Sequence, residues 1–289
     1  MRVLWLVAAA GAVFAIATVT CRMTTAEMPL FPREGEQSPL TAEQIDRRIA
    51  EIEPQVNVAP QEAALRVDLG ILYYLKGPVY YDRAIAMLDG AWRLGATDAR
   101  VFYYLGVMYD FVKLPVFAAA EYRRFLANRP GDHEVMVRLA KVYYQLERYD
   151  DAAALYYEVL DQDRDNRIAL GNLGLVNLAR GRDAEAQEQF TRAIAVSTES
   201  GMPAPPGVYY GLGCIAVRGG RMDSAREYLR REMATYLSNT VLPTMELAKI
   251  AWYEGDIAET VRLCRIVLET EPSHRGAREL LKQAERRGG

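Results

Sequence analysis

Cysteine and histidine are scarce in this sequence: three Cys and two His among 289 residues. Cys21, Cys214 and Cys264 stand far apart, so neither a zinc ribbon nor a disulfide framework fits. No H-E-x-x-H, Walker A or G-x-S-x-G segment is present, and Gly207, Gly211 and Gly213 do not make G-x-G-x-x-G. The Asp161-Gln-Asp163-Arg-Asp165 run lacks the Gly and distal Glu of a calcium loop. A surplus of one charge is missing as well: 35 basic residues face 38 acidic ones, net −3, which excludes nucleic-acid binding through bulk positive charge. With 21 Gly and 13 Pro the chain is neither collagen-like nor of low complexity. Phenylalanine is sparse at seven, whereas tyrosine is abundant at 18, and a hydrophobic share of 51% supplies a large core. The sequence therefore predicts no metal, no cofactor and no enzyme. It asks instead what so many large side chains with one wet end are for.

Met1-Arg2 precedes eighteen uncharged residues, Val3 to Thr20, the pattern of a secretory targeting segment. The run is long for a signal core and sits at the short edge of what spans a bilayer. Cys21 follows it directly, where a bacterial lipoprotein carries its acylated Cys, although Thr18-Val19-Thr20 is a poor lipobox. Two alternatives stay open: an uncleaved anchor helix, or cleavage after Ala15-Ile16-Ala17. All three place the remainder outside the cytoplasm most simply. Residues 1–21 are thus read as signal or anchor, and the Pro- and Glu-containing stretch 22–40 as a linker. Residues 41–62 form an N-terminal helical segment. Thr41 and Gln44 have capping-box spacing, and Ile45, Ile49 and Ile52 share a face, which predicts a helix near 41–53 ended by Pro54.

Beyond it the chain repeats itself. A Leu followed by a small residue recurs at Leu69-Gly70, Leu105-Gly106, Leu139-Ala140, Leu173-Gly174, Leu212-Gly213 and Leu247-Ala248, in steps of 36, 34, 34, 39 and 35. Later in each unit an Ala is followed four residues on by a large side chain, as in Ala118 with Tyr122 and Ala186 with Phe190. The small residues imply two closely approaching helices. Asp256 with Glu259, and Ser224 with Glu227, have helix-capping spacing. In this period and pattern residues 63–287 resemble the tetratricopeptide repeat (TPR) family. The resemblance implies an all-α, right-handed solenoid of about six helix–turn–helix units, 63–98, 99–132, 133–166, 167–205, 206–240 and 241–274. A capping helix and tail over 275–289 cover the last apolar face. The Pro-rich segment Thr198–Gly207 reads as a tolerated insertion in an exposed loop, with partner contact as the alternative.

TPR proteins line a concave groove with the first helix of each unit and commonly bind proteins or peptides there. On the face opposite the packing Leu stand Tyr74, Tyr103, Tyr104, Phe111, Arg138, Lys141, Tyr144, Asn172, Tyr210, Arg218, Lys249, Trp252 and Tyr253. The aromatics suit an interface, and the remaining residues make the expected floor locally basic. Inter-repeat packing is the competing role for the same tyrosines. Val67 and Ile71 occupy the places where chaperone-tail clamps carry Lys and Asn, so that recognition mode is not expected. The overall plan is similar to pilotin-type and hydrolase-adaptor TPR lipoproteins of the bacterial envelope. It implies a membrane-tethered scaffold whose partner is a protein, with a structural bitopic membrane subunit as the alternative.

Overall fold

The computed structural model describes residues 31–238 and 240–288, which fall into two units divided after Pro39. The expectations for residues 1–21, including Cys21, lie outside the described residues. In the first unit, residues 33–36 form a turn in which the Glu36 N–H donates to the Arg33 carbonyl at 3.1 Å.

The second unit is all helix among the described residues. Its elements are α1 (Ala42–Val58), α2 (Ala63–Lys76), α3 (Tyr81–Arg93), α4 (Ala99–Phe111), α5 (Pro115–Asn128), α6 (His133–Gln145) and α7 (Tyr149–Gln162). They continue with α8 (Arg167–Ala179), α9 (Asp183–Glu199), α10 (Val208–Arg218), α11 (Met222–Thr235), α12 (Val241–Glu254), α13 (Ile257–Thr270) and α14 (Arg275–Gly288). Helices α2 to α13 pair consecutively into six antiparallel hairpins stacked in a solenoid. Helix α1 packs on α2 at one end, and α14 packs on α13 at the other. None of the described helices is long and apolar enough to cross a membrane.

The small residues at 34-residue spacing are where each hairpin closes. A Cβ added to Gly106 falls 2.5 Å from the Tyr122 ring, one on Gly174 2.5 Å from Phe190, and one on Gly70 2.7 Å from Leu88. Glycine inside a helix costs roughly 1 kcal/mol relative to Ala. Here it lets a side chain worth about 1.5–3 kcal/mol on full burial lie across the helix backbone. Phe190 does this twice: it meets Gly174 of its own hairpin and Gly211 of the next, where a Cβ would stand 2.3 Å away.

The turn inside each hairpin has its own repeating device. The residue eight after the ladder Leu has positive φ in all six units: Gly77, Lys113, Glu147, Gly181, Gly220 and Gly255. Lys113 and Glu147 hold the left-handed conformation despite a Cβ, at φ 62° and 58°.

Caps form a third register. Asp98, Asp132 and Asn166 stand 34 residues apart, and each accepts a backbone N–H at the start of a first helix, from Arg100 (2.9 Å), Val135 (3.1 Å) and Ala169 (3.0 Å). The Thr41–Gln44 capping box forms in both directions, and Asp256 caps α13.

Two sequence expectations are corrected. Helix α1 does not end at Pro54 but runs to Val58 with the proline inside. Val56 is buried and Glu53 accepts from the Tyr73 hydroxyl at 2.8 Å, so packing on α2 offsets the missing backbone bond. Ser224 does not cap α11: it lies within the helix, which starts at Met222. The Thr198–Gly207 segment is exposed from Thr198 to Pro203 and anchored beyond it. Helix α9 extends to Glu199, Ala204 is buried, the Arg167 guanidinium donates to the Pro203 carbonyl at 3.1 Å, and the Tyr236 hydroxyl donates to that of Ala204. The Gly207 N–H donates to the buried Glu232 carboxylate at 2.7 Å, and the Tyr210 N–H reaches it at 3.3 Å. A side chain from α11 thereby caps α10.

Candidate partner-binding groove

The first helices of the hairpins touch one another along the stack: α2 with α4, and α6, α8, α10 and α12 in succession. Among the described residues no pair of successive second helices is in comparable contact. A stack drawn together on one side curves toward it, so the first helices form the inner wall of a groove.

In the N-terminal half the wall is filled. Tyr74, Tyr103 and Tyr104 are buried, contrary to the expectation that they face a partner. Tyr74 and Tyr104 approach at 4.6 Å between ring centroids. Tyr104 meets Tyr103 edge-on at 5.3 Å, and Tyr103 reaches Phe125 at 5.9 Å. The cause is that α4 has no open side: Val101 through Met108 are all buried. Phe111, at the end of the same helix, is 52% exposed and stands edge-on to Tyr81 at 5.1 Å.

From α6 onward the predicted residues are partly open. Tyr144 is half-buried and meets Tyr149 at 5.6 Å. Asn172 on α8 and Tyr210 on α10 are likewise half-buried. Burial, and next Cys214, push the Tyr210 phenol far up from its ordinary value. Burial also raises the Cys214 thiol above its ordinary value.

The expected basic floor is largely neutralised. Arg138 donates to Glu134 at 2.8 Å, on the same oxygen that accepts from the Tyr103 hydroxyl. Lys249 pairs with Glu246 at 2.6 Å and Arg218 with Asp183 at 2.5 Å. Lys141 is exposed and has no ion pair among the described residues. Trp252 is partly covered by the Arg287 guanidinium of α14, 5.1 Å from its ring centroid, whereas Tyr253 is 73% exposed.

Sequence reasoning missed Glu134 and Glu246 on this wall, and Tyr149, which meets Tyr144 from α7. The i,i+4 and i,i+3 spacing of the two acids before Arg138 and Lys249 was the available signal. The histidines serve structure: His133 bonds Gln162 at 2.9 Å, and His274 accepts the Ala277 N–H at 3.0 Å at the start of α14. No group of three or more His, Cys, Asp or Glu is placed to hold a metal among the described residues. The wall exposes aromatic rims, an amide, hydroxyls and the Lys141 ammonium.

Two profiles of the tetratricopeptide repeat family match residues 131–199 and 172–236. Residues 131–236 therefore carry tetratricopeptide repeats. Over 136 residues it is 26% identical to the type IV pilus assembly protein PilF of Pseudomonas aeruginosa, spanning 45% of this chain and 52% of that one. It is 30% identical over 191 residues to the cellulose synthase 2 operon protein C of Komagataeibacter xylinus, covering 54% of this chain and 14% of the relative. The chain spans between 11% and 52% of the length of the curated relatives it matches. Among solved structures it resembles PilW, a widely conserved type IV pilus biogenesis factor. The TM-score is 0.59 at 17% identity, with 76% of this chain and 98% of that one covered, a likeness of fold. The TPR groove is suited to binding a protein partner.

Proposed function

We propose that this protein is a membrane-tethered scaffold of the bacterial cell envelope that holds a protein partner in its concave groove during assembly of an envelope complex. The observation that carries the reading is the half-open wall from α6 to α12, where Lys141, Tyr144, Asn172 and Tyr210 line consecutive first helices. A relative named for type IV pilus assembly supports the envelope setting. The tether is the apolar run Val3–Thr20, with Cys21 as the lipid-attachment residue. Retention of the run as an uncleaved helix is the second form of the same tether. A mass shift at the mature N-terminus on lipid labelling separates the two.

The groove is tested with Lys141→Glu combined with Tyr144→Ala. Cross-linking in the native envelope followed by purification loses the partner from this variant, while helical content and melting stay close to wild type. Undiminished capture refutes the groove assignment. Loss of folding in step with capture transfers Tyr144 to inter-repeat packing.

A further inference from the structure

The turn between α4 and α5 carries an apolar surface that runs from Phe111, at the end of a groove helix, into the start of α5. Phe111, Val112, Leu114, Val116 and Phe117 are all exposed, from 41% for Val112 to 65% for Val116. Val79, in the corresponding turn of the preceding hairpin, is 91% exposed. The two turns adjoin, because the Phe111 ring stands 5.1 Å from that of Tyr81, which opens α3 directly after Val79-Tyr80. Scattered apolar side chains on a surface need no explanation, but six on two neighbouring turns form a patch.

The patch belongs to one edge and one end of the solenoid. Every other second helix has an acid in its first turn: Asp82 in α3, Asp150 and Asp151 in α7, Asp183 and Glu185 in α9, Asp223 in α11 and Glu259 in α13. Helix α5 has none, and the centre of its turn is Lys113. From Phe111 to Phe117 the segment is apolar with one cation and no acid, Asp110 standing just before it and Asp82 beside the adjoining turn, a composition that matches the interfacial zone of an anionic bilayer.

The route of the chain supplies the second argument. Lys76, at the end of α2, pairs with Asp46, near the start of α1, at 2.7 Å. The start of the second unit therefore lies at the edge that carries these turns. The chain leading back toward the apolar run Val3–Thr20 leaves the solenoid one hairpin away from the patch. About twenty residues separate Thr20 from α1, a reach of at most ~70 Å.

We infer that the α2–α3 and α4–α5 turns dock on the lipid surface beside the N-terminal tether, with Val79, Phe111, Leu114, Val116 and Phe117 entering the interface. The inference rests on the tether proposed above. It orients the molecule: the first two hairpins lie against the bilayer, and the half-open wall from α6 onward stands clear of it.

The test uses the full chain in vesicles of phosphatidylethanolamine and phosphatidylglycerol. The amides of Val116 and Phe117 lie in the first turn of α5, which has no side-chain cap, so in water they exchange freely with solvent. The variant V116D/F117D removes the apolar pair and places acids where a helix start favours them, so α5 stays formed. Both chains float with the vesicles through the tether, and the wild-type amides exchange about tenfold more slowly than the variant's. Equal rates in two floating chains overturn the docked edge and leave the tether standing. A wild-type chain that does not float overturns both. Slowing that appears without lipid and grows with protein concentration assigns the patch to a second copy and overturns the bilayer.

Discussion

The sharpest test of the packing is Gly211→Ala. The new methyl would sit 2.3 Å from Phe190 Cζ, short of ordinary 3.4 Å contact by 1.1 Å. The ring has nowhere to retreat: it is fully buried, and its other edge already lies across Gly174, where a Cβ would be 2.5 Å away. Two effects compete. Replacing a helical Gly with Ala gains roughly 1 kcal/mol of helix propensity. Overpacking a closed core costs about 1–3 kcal/mol, more when a rigid ring must move. The clash wins, with a net loss of about 1–2 kcal/mol. Because Phe190 bridges hairpins four and five, the loss falls on the coupling between them, and the urea transition should broaden as the stack divides. Circular dichroism during urea titration reads both the midpoint and the slope. Gly131→Ala is the control: its Cβ would meet nothing within 4 Å, so that variant is neutral or slightly stabilised. Adding Phe190→Leu to Gly211→Ala should cost less than the separate losses combined. A Gly211→Ala chain as stable as wild type would refute the wedge.

Other perturbations follow from the turns and caps. Glu147→Gly relieves a left-handed residue and should raise stability by about 1 kcal/mol, read as a higher melting temperature; an unchanged or lower one contradicts the strain at that turn. Glu232→Ala strips the acceptor from the Gly207 and Tyr210 N–H groups and should cost about 2–3 kcal/mol, with hydrogen exchange accelerated at the start of α10. Asp132→Ala should cost about 1 kcal/mol, restored by Asn and not by Leu, in thermal melts of the three variants.

The solenoid was legible because its determinants are periodic. Gly70, Gly106, Gly174 and Gly213 mark helix contacts that recur wherever the register places them. The site was less legible, because burial depends on neighbours that sequence spacing does not name. Tyr103 and Tyr104 lie on the side of α4 away from Leu105, which in an isolated hairpin is open; stacked hairpins close it. Tyr144 and Lys141 keep exposure on α6. The basic floor was misjudged for a related reason: Arg218 finds its acid 35 residues away, in another hairpin. Glu232 could not be read as a cap because it acts across 25 residues on a different helix. By contrast Asp98, Asp132 and Asn166 were open to detection, since their spacing is the repeat's own.

That recurring cap makes length a countable property of the molecule. Cut before His133 and again before Arg167, the chain loses one whole hairpin, α6 with α7. Rejoining Asp132 to Arg167 still puts a carboxylate ahead of α8, where Asn166 stood. Recombination between such junctions would change the number of hairpins one at a time without inventing a new helix start. The span of the inner wall would then grow or shrink in whole-repeat increments, fitting longer or shorter partners to the same architecture.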